Sequence, residues 1–362
     1  MKKTVITSAV LGALAVVLGT GCQHNASTSS TNNSTDTTKN GNPTTSDSVL
    51  YSFVVLGCNR LDAGDTNTAT NPSTANLAQL DRTFSDILAI NPRSNILFMS
   101  GDLVLGKGPD TVMLGKELRA WVQHYQSSPI ATSGIKLIAV PGNHETQGGS
   151  QGVAYAAAEQ AWLNNMSAYL AGNNGPGPGG ADHLVTDQSR LTSSFDYRDS
   201  HFVTFNSDPT GGDATVPVNW ASTDIAAARA RGQKHIFAIA HKPAYSWDDG
   251  TTDGLTISNR DALWNVFNTN QVEAMITAHN HVYQRLQGTT GKTWMIISGN
   301  GGSTLETTAG NYRNFGFAVI SIMKSGKVLM KEYARSYGAN YNDPSPASSY
   351  PTTVRDSADI TW

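Results

Sequence analysis

Several things are scarce in this chain of 362 residues, and each scarcity removes a class of function. Charged residues make up 15% of it, and the formal net charge is −3. A nucleic-acid partner wants a basic stripe, and there is no surplus from which to build one. Only two cysteines occur, Cys22 and Cys58, so at most one disulfide can form. The apolar run near the start, from about Ala9 to Leu18, is too short to span a bilayer comfortably. No internal repeat is evident. The chemistry therefore has to be read from local residues, in a chain long enough for one large domain or two medium ones.

The first residues, MKKTVITSAVLGALAVVLGTGC, follow a secretion pattern: Lys2 and Lys3, an apolar run, then small residues. The ending Gly21-Cys22 resembles the cleavage and acylation box of bacterial lipoproteins, although Leu18 stands one position farther from Cys22 than usual. Gln23 after the cysteine resembles the outer-membrane type. Residues 1–22 are thus expected to be a lipoprotein signal peptide, with a lipid on Cys22 tying the protein to a bacterial cell envelope. Residues 23–48 are Ser-, Thr- and Asn-rich, include a solvated His24, and cannot bury a core. They read as a disordered tether reaching roughly 30 Å. With Cys22 acylated, Cys58 is an unpaired thiol in an exported protein, either well buried or useful.

From Val49 to about Arg335 strands and helices alternate. VLYSFVVLG is a strand, and the segment after Pro72 and Ser73 places Leu77, Leu80, Phe84 and Leu88 on one helical face. NILFMSGD is a strand, Asp110 can cap the helix that follows, and IKLIAVPGNHE repeats the strand-to-loop pattern. A helix around AYAAAEQAWLNNMSAYLA leads to a glycine-rich loop and a hairpin turning at Arg198-Asp199. Then come a helix near Ser222–Arg231, the strand HIFAIAH, a helix near Asp261–Phe267, the strand VEAMITAHNH and three closing strands. Early βαβ units with later β-rich segments predict an α/β fold, a four-layer α/β/β/α sandwich of two packed mixed sheets flanked by helices. Residues 336–362 read as a polar tail of uncertain structure.

Polar residues collect at the carboxyl ends of these strands, where open α/β sheets bind ligands. Asp102 follows ILFMSG, Asn143 and His144 follow LIAVPG, His241 follows IFAIA, and His279 and His281 follow AMITA. Oxygen and nitrogen donors in this mixture suit a borderline divalent metal such as Zn, Mn or Fe. Residues two apart on an extended segment project to one side, so His279 and His281 can share a target. Gly101 and Gly142 permit a sharp exit and close backbone approach. Taken singly each piece is weak, because a lone strand-end His is usually a hydrogen-bonded core or rim residue. His124, His183, His201 and His235 lack such context and read as structural or surface residues.

In combination and order, GD at 101–102, GNHE at 142–145, AHKP at 240–243 and AHNHVYQR at 278–285 resemble the calcineurin-like metallophosphoesterases, and among them the purple acid phosphatases. SGNGGS at 298–303 is similar to that family's closing strand and loop, so the resemblance spans about Val49 to Glu332. It implies one or two divalent ions. Asp102 would bridge them; Asn143, His241 and His279 would complete one site, and His281 would serve the other. His144 would face the phosphoryl group as an electrostatic aid or proton donor, best as a cation. A metal would acidify its water enough to supply hydroxide near neutrality, and two would hold both the attacking and the departing oxygen.

The first motif departs from the family's Gly-Asp-x-His pattern: it is Gly57-Cys58-Asn59-Arg60. Leu105 stands where the tyrosine of the coloured iron enzymes belongs, so such a site is not expected. Four readings of Cys58 stay open: a thiolate ligand favouring zinc; a bystander to Asn59, Asp62 or Asp65 swinging in; a mark of a weak first site beside one firm metal; or a buried residue in a protein without catalysis. Arg60 either grips a phosphate oxygen or pairs with Asp62 or Asp65. A cysteine nucleophile is disfavoured, because GCNRLDAGD does not resemble a phosphate-cradling loop. The expectation is a metal-dependent phosphoesterase acting on exported or imported phosphate esters, or else a metal- or phosphate-binding surface protein on the same fold.

Overall fold

The structure is a computed structural model, and it describes residues 47–108, 110–148, 152–248, 253–287, 291–307 and 313–362. The signal peptide, Cys22 and nearly all of the tether lie outside the described residues. In chain order come β1 (Val49–Leu56), α1 (Leu77–Leu88), β2 (Ile96–Ser100), α2 (Thr111–Ser127) and β3 (Lys136–Val140). A one-turn helix, α3 (Asn143–Thr146), follows, with a short ribbon of β4 (Gln147–Gly148) and β5 (Val153–Ala154). Next are α4 (Ala156–Met166), β6 (Ser193–Tyr197), β7 (Ser200–Phe205), α5 (Val218–Ala230), β8 (His235–Ala240) and α6 (Ile257–Thr269). The chain ends with β9 (Ala274–Thr277), β10 (Tyr283–Gln287), β11 (Trp294–Ser298), β12 (Phe315–Met323), β13 (Val328–Arg335) and β14 (Thr353–Asp359).

Among the described residues two six-stranded sheets form, ordered β14-β13-β12-β1-β2-β3 and β10-β11-β9-β8-β7-β6. Both are mixed: β1, β2 and β3 run parallel, as do β7, β8, β9 and β11, with antiparallel strands at the edges. The strand period of two explains the layering. Phe53, Val55, Phe98 and Ile138 face Phe202, Phe237, Ile239 and Ile276 in one inter-sheet core. Their neighbours Val54, Leu56, Leu97, Met99 and Leu137 point the other way, onto Leu80, Phe84, Leu118, Trp121 and Trp162 of α1, α2 and α4. Met275, Ala238 and Ile297 likewise pack on Ile225, Leu263 and Phe267 of α5 and α6. Phe53 anchors the middle, its ring edge-on to Phe98, Phe202 and Phe237 at centroid distances of 5.7, 5.0 and 4.9 Å. Truncating so buried an aromatic costs roughly 3–5 kcal/mol. The four-layer α/β/β/α sandwich is therefore the architecture.

Local expectations hold at α2, where the Asp110 carboxylate accepts the Val112 N–H at 2.8 Å. At α1, which begins after Pro72 and Ser73, the N-cap is Asn76, whose side chain accepts the Gln79 N–H. The tail needs correction. Residues 353–359 return to the first sheet as β14, antiparallel to β13, and Ile360 is fully buried in the inter-sheet core. The domain thus runs to the end of the chain, not to Arg335. TVRDSAD lacks an apolar alternation because it is an edge strand, where charge discourages further pairing.

Candidate metal centre

The carboxyl ends of β1, β2 and β3 in one sheet and of β8 and β9 in the other meet over a small volume. Gly101, at φ +84°, has no room for a side chain: a Cβ there would lie 2.6 Å from Gly142 and from His241 Nδ1. A Cβ on Gly142 would lie 2.3 Å from Asp102 Oδ1. These glycines let two loops and an imidazole close on one another. Cys58, Asp102 and His279 all sit at positive φ, 57°, 55° and 66°. That conformation is costly for non-glycine residues and gathers at functional sites. It also corrects the expectation for His279 and His281. β9 ends at Thr277, and two tight turns follow, with Asn280 N–H on Ala278 O and Val282 N–H on Asn280 O, both at 2.8 Å. The two imidazoles are placed by a turn, not by an extended pleat.

Four donor atoms converge. His241 Nε2 lies 3.2 Å from Asp102 Oδ1, 3.0 Å from Asn143 Oδ1 and 3.2 Å from His279 Nδ1. His279 Nδ1 lies 3.1 Å from Asn143 Oδ1. The far nitrogen of each ring is committed: His241 Nδ1–H donates to Ser100 O at 2.8 Å, and His279 Nε2–H to Asp253 Oδ1 at 2.9 Å. Both inward nitrogens therefore present lone pairs when the rings are neutral. Lone pairs facing carboxylate and amide oxygens call for positive charge, supplied by a metal ion or, at His241, whose pKa Asp102 raises against burial, by a proton. Tetrahedral ligands at about 2.1 Å from an ion lie about 3.4 Å apart, close to these spacings. Asn143 fits two ways. Turned over, its NH2 reaches His279 Nδ1 at 3.1 Å and His241 Nε2 at 3.0 Å, while its oxygen accepts from Lys107 Nζ at 2.7 Å. That orientation satisfies the protein alone; oxygen inward is what a bound cation requires. The set fits a divalent metal.

Glu145 holds this arrangement from beneath. Its Oε2 accepts the N–H groups of Asp102 at 2.9 Å and Gly142 at 2.7 Å, and its Oε1 those of Leu103 and Val104 at 2.7 and 3.1 Å. Burial, then the charge of Asp102, pushes its pKa up to about 7 against those donors. Asp102 itself is held well below the usual carboxylate range, because His241, His144 and Arg60 outweigh the opposing effect of burial.

The other side of Asp102 is different. Cys58 Sγ lies with Asp102 and His241 donors inside a 4.8 Å group and accepts the His279 N–H at 3.2 Å. Complete burial, then the Asp102 charge, raises its pKa well above the usual thiol value, so it is a thiol where no cation binds it. Arg60 Nε is 3.7 Å from Asp102 Oδ2, and its Nη1 is 3.5 Å from Asp62. Pairing with Asp62 was one expectation for Arg60, pairing with Asp102 was not, and Asp65 instead takes the Tyr341 hydroxyl at 2.6 Å. His281 gives its Nδ1–H to Thr304 O at 2.6 Å, and burial, then Arg60, lowers its pKa. His144 N–H donates to Asp102 Oδ1 at 3.1 Å, and its Nδ1–H meets Leu105 O. Burial, then Arg60 and Lys107, lowers the His144 pKa to about 4. That direction works against the cationic His144 expected from sequence; its Nε2 lies 3.9 Å from Asp102 Oδ2.

Lys107, Asp253 and Glu145 escaped sequence reasoning. Glu145 was visible inside GNHE, whereas Lys107 and Asp253 carry no motif and arrive by loop geometry. The four other histidines among the described residues are structural or on the surface, as expected. His201 bridges Asp196 and Asp224, His235 pairs with Glu273, His124 with Asp81, and His183 is exposed.

Residues 54–283 match the family model of calcineurin-like phosphoesterases. The chain belongs to that family. Members typically bind divalent metal ions. Among solved structures, the family fold is shared with a purple acid phosphatase from yellow lupin (Lupinus luteus) seeds, at 16% identity and TM-score 0.53, over 85% of this chain and 53% of that one. This chain therefore spans about half the length of the lupin enzyme. GAP50, the anchor in the inner membrane complex of Plasmodium, aligns at 13% identity and TM-score 0.48, over 86% and 88% of the two chains. A protein from Staphylococcus aureus described as a 5'-nucleotidase by assignment aligns at 12% identity and TM-score 0.44, over 77% and 52% of the two chains. At such identities the likeness is one of fold. No curated protein matches.

Proposed function

We propose that this protein hydrolyses phosphate esters with a divalent metal held by Asp102, Asn143, His241 and His279. One observation carries the reading: two imidazole lone pairs face two side-chain oxygens at 3.0–3.2 Å, an arrangement that a cation resolves. When bound, the metal supplies Lewis acidity, acidifying water and drawing charge from a phosphoryl group. The chain's own residues do the rest. Asp253 orients His279 from behind, as outer partners of metal-bound histidines do. Arg60 and Lys107 offer positive charge to phosphate oxygens. His144, its Nδ1–H spent on Leu105 O, can accept a hydrogen bond at Nε2, but a pKa lowered to about 4 makes it a weak base.

Purified protein should turn over p-nitrophenyl phosphate when supplied with Mn or Zn, stop in chelator, and lose both metal and activity on Asp102→Ala. Full activity of chelated Asp102→Ala would place the chemistry elsewhere. The rival reading, a metal- or phosphate-binding surface protein without catalysis, draws on the thiol at Cys58 where the family pattern has a carboxylate. It expects bound metal without turnover.

The protein further reads as a lipid-anchored component of a bacterial envelope, of the outer-membrane type, on the strength of Gly21-Cys22 after the apolar run and the polar tether behind it. Cells fed labelled palmitate should label it, and Cys22→Ala should abolish the label and release the chain from membranes. Labelling retained in that variant would refute the anchor.

A further inference from the structure

We propose that the guanidinium of Arg60 takes the place of a second ion, so that the centre works with one divalent metal and one fixed organic cation. The inference rests on the metal-dependent reading above and adds the number of ions and the group that grips the phosphate.

Asp102 has two oxygens with different company. Oδ1 faces the four-donor cluster, whereas Oδ2 faces Arg60 Nε at 3.7 Å and His144 Nε2 at 3.9 Å. The Arg60 side chain is 15% exposed, and its Nε is a buried donor with no hydrogen-bond partner. Buried donors are rarely left so. Here the unspent N–H lies beside Asp102, the carboxylate that would hold the metal, and is available to a phosphate oxygen.

Charge argues the same way. Beyond Oδ2, His144 and His281 bring nitrogen and no negative charge, Cys58 Sγ lies within 4.8 Å of the Asp102 and His241 donors, and the one carboxylate there is shared with that cluster. The other nearby acids sit on the rim: Asp62, 46% exposed, is held by Thr304 at 2.6 Å, and the exposed Glu306 touches the backbone of His281. A second divalent ion would thus enter beside the fixed charge of Arg60, 3.7 Å from Asp102 Oδ2, and next to the first ion, where the family's terminal carboxylate is replaced by Cys58. A guanidinium suits the position, because its fixed fork of donors matches phosphate geometry and it never loses its charge.

The test counts ions. Wild-type protein saturated with Mn or Zn and desalted should hold one ion per chain by mass spectrometry of metals. Two ions would overturn the inference while leaving the hydrolase reading standing; none would overturn the hydrolase reading itself. Cys58→Asp alone should still hold one ion, and Cys58→Asp with Arg60→His should hold two. A second ion gained by Cys58→Asp alone would show that only a carboxylate was missing, and would refute the role of Arg60. Should the double variant fail to fold, Arg60→Met still decides. In calorimetry its metal-loaded form should bind inorganic phosphate about 10- to 100-fold more weakly, the worth of a charged hydrogen bond. It should bind the metal no more weakly than wild type, because a repelling charge has gone. Unchanged phosphate affinity would refute the proposal.

Discussion

Replacing Glu145 by Gln tests whether the metal loops are held by one carboxylate. Glu145 is fully buried and accepts four backbone N–H groups, two on each oxygen, from the loops after β2 and β3. Glutamine keeps one oxygen and turns an NH2 toward two of those donors. Two buried N–H groups lose their acceptor at roughly 1–3 kcal/mol each. Set against this is relief of a buried charge beside Asp102, the same repulsion that, after burial, lifts the Glu145 pKa to about 7. The net cost should be roughly 2–4 kcal/mol at pH 8, where the wild-type side chain is mostly ionised. Urea unfolding at pH 8 measures it, and metal titration of the folded variant should show weakened binding, since Asp102 and Asn143 stand on the loops that slip. A variant within about 0.5 kcal/mol of wild type, with unchanged metal affinity, would refute the clamp.

Asp253→Asn should weaken metal binding about 10- to 100-fold by removing the carboxylate behind His279, read by competition with a chelating dye; equal affinity would detach Asp253 from the site. Glu332 is buried, and burial pushes its pKa up to about 7. A raised carboxyl pKa means that the folded state keeps its proton longer. The stability contribution is therefore whole below the unfolded value near 4.5 and is lost as pH rises through about 7. Relative to Glu332→Gln, wild type should lose roughly 3 kcal/mol between pH 4.5 and pH 8; parallel stability–pH curves for the two proteins would refute the assignment.

Much was legible in the sequence for a simple reason. Strand periodicity in VLYSFVVLG, NILFMSGD and IKLIAVPGNHE dictates which side chains enter a core, and the position of Asp102, Asn143 and His241 just past apolar runs dictates that they stand at strand ends. Those patterns are local, so the chain order carries them. Hidden were features made by distant segments. β14 was invisible because an edge strand does not need an apolar face, and only its pairing with β13 and the burial of Ile360 reveal it. Lys107 and Asp253 lie in loops without motif, brought to Asn143 and His279 by the path of the chain.

By itself the sequence determined the family, the sandwich and the donor types of the centre, because each follows from spacing along one chain. Tertiary structure alone decided which nitrogen of each histidine faces inward, since Ser100 O and Asp253 claim the others. It also lowered the His144 pKa, through burial and the neighbouring charges of Arg60 and Lys107. And it set Arg60 against Asp102 Oδ2, a contact between residues 42 positions apart that exists only because β1 and β2 lie side by side. Protonation and charge pairing depend on distance and dielectric, which no linear order specifies.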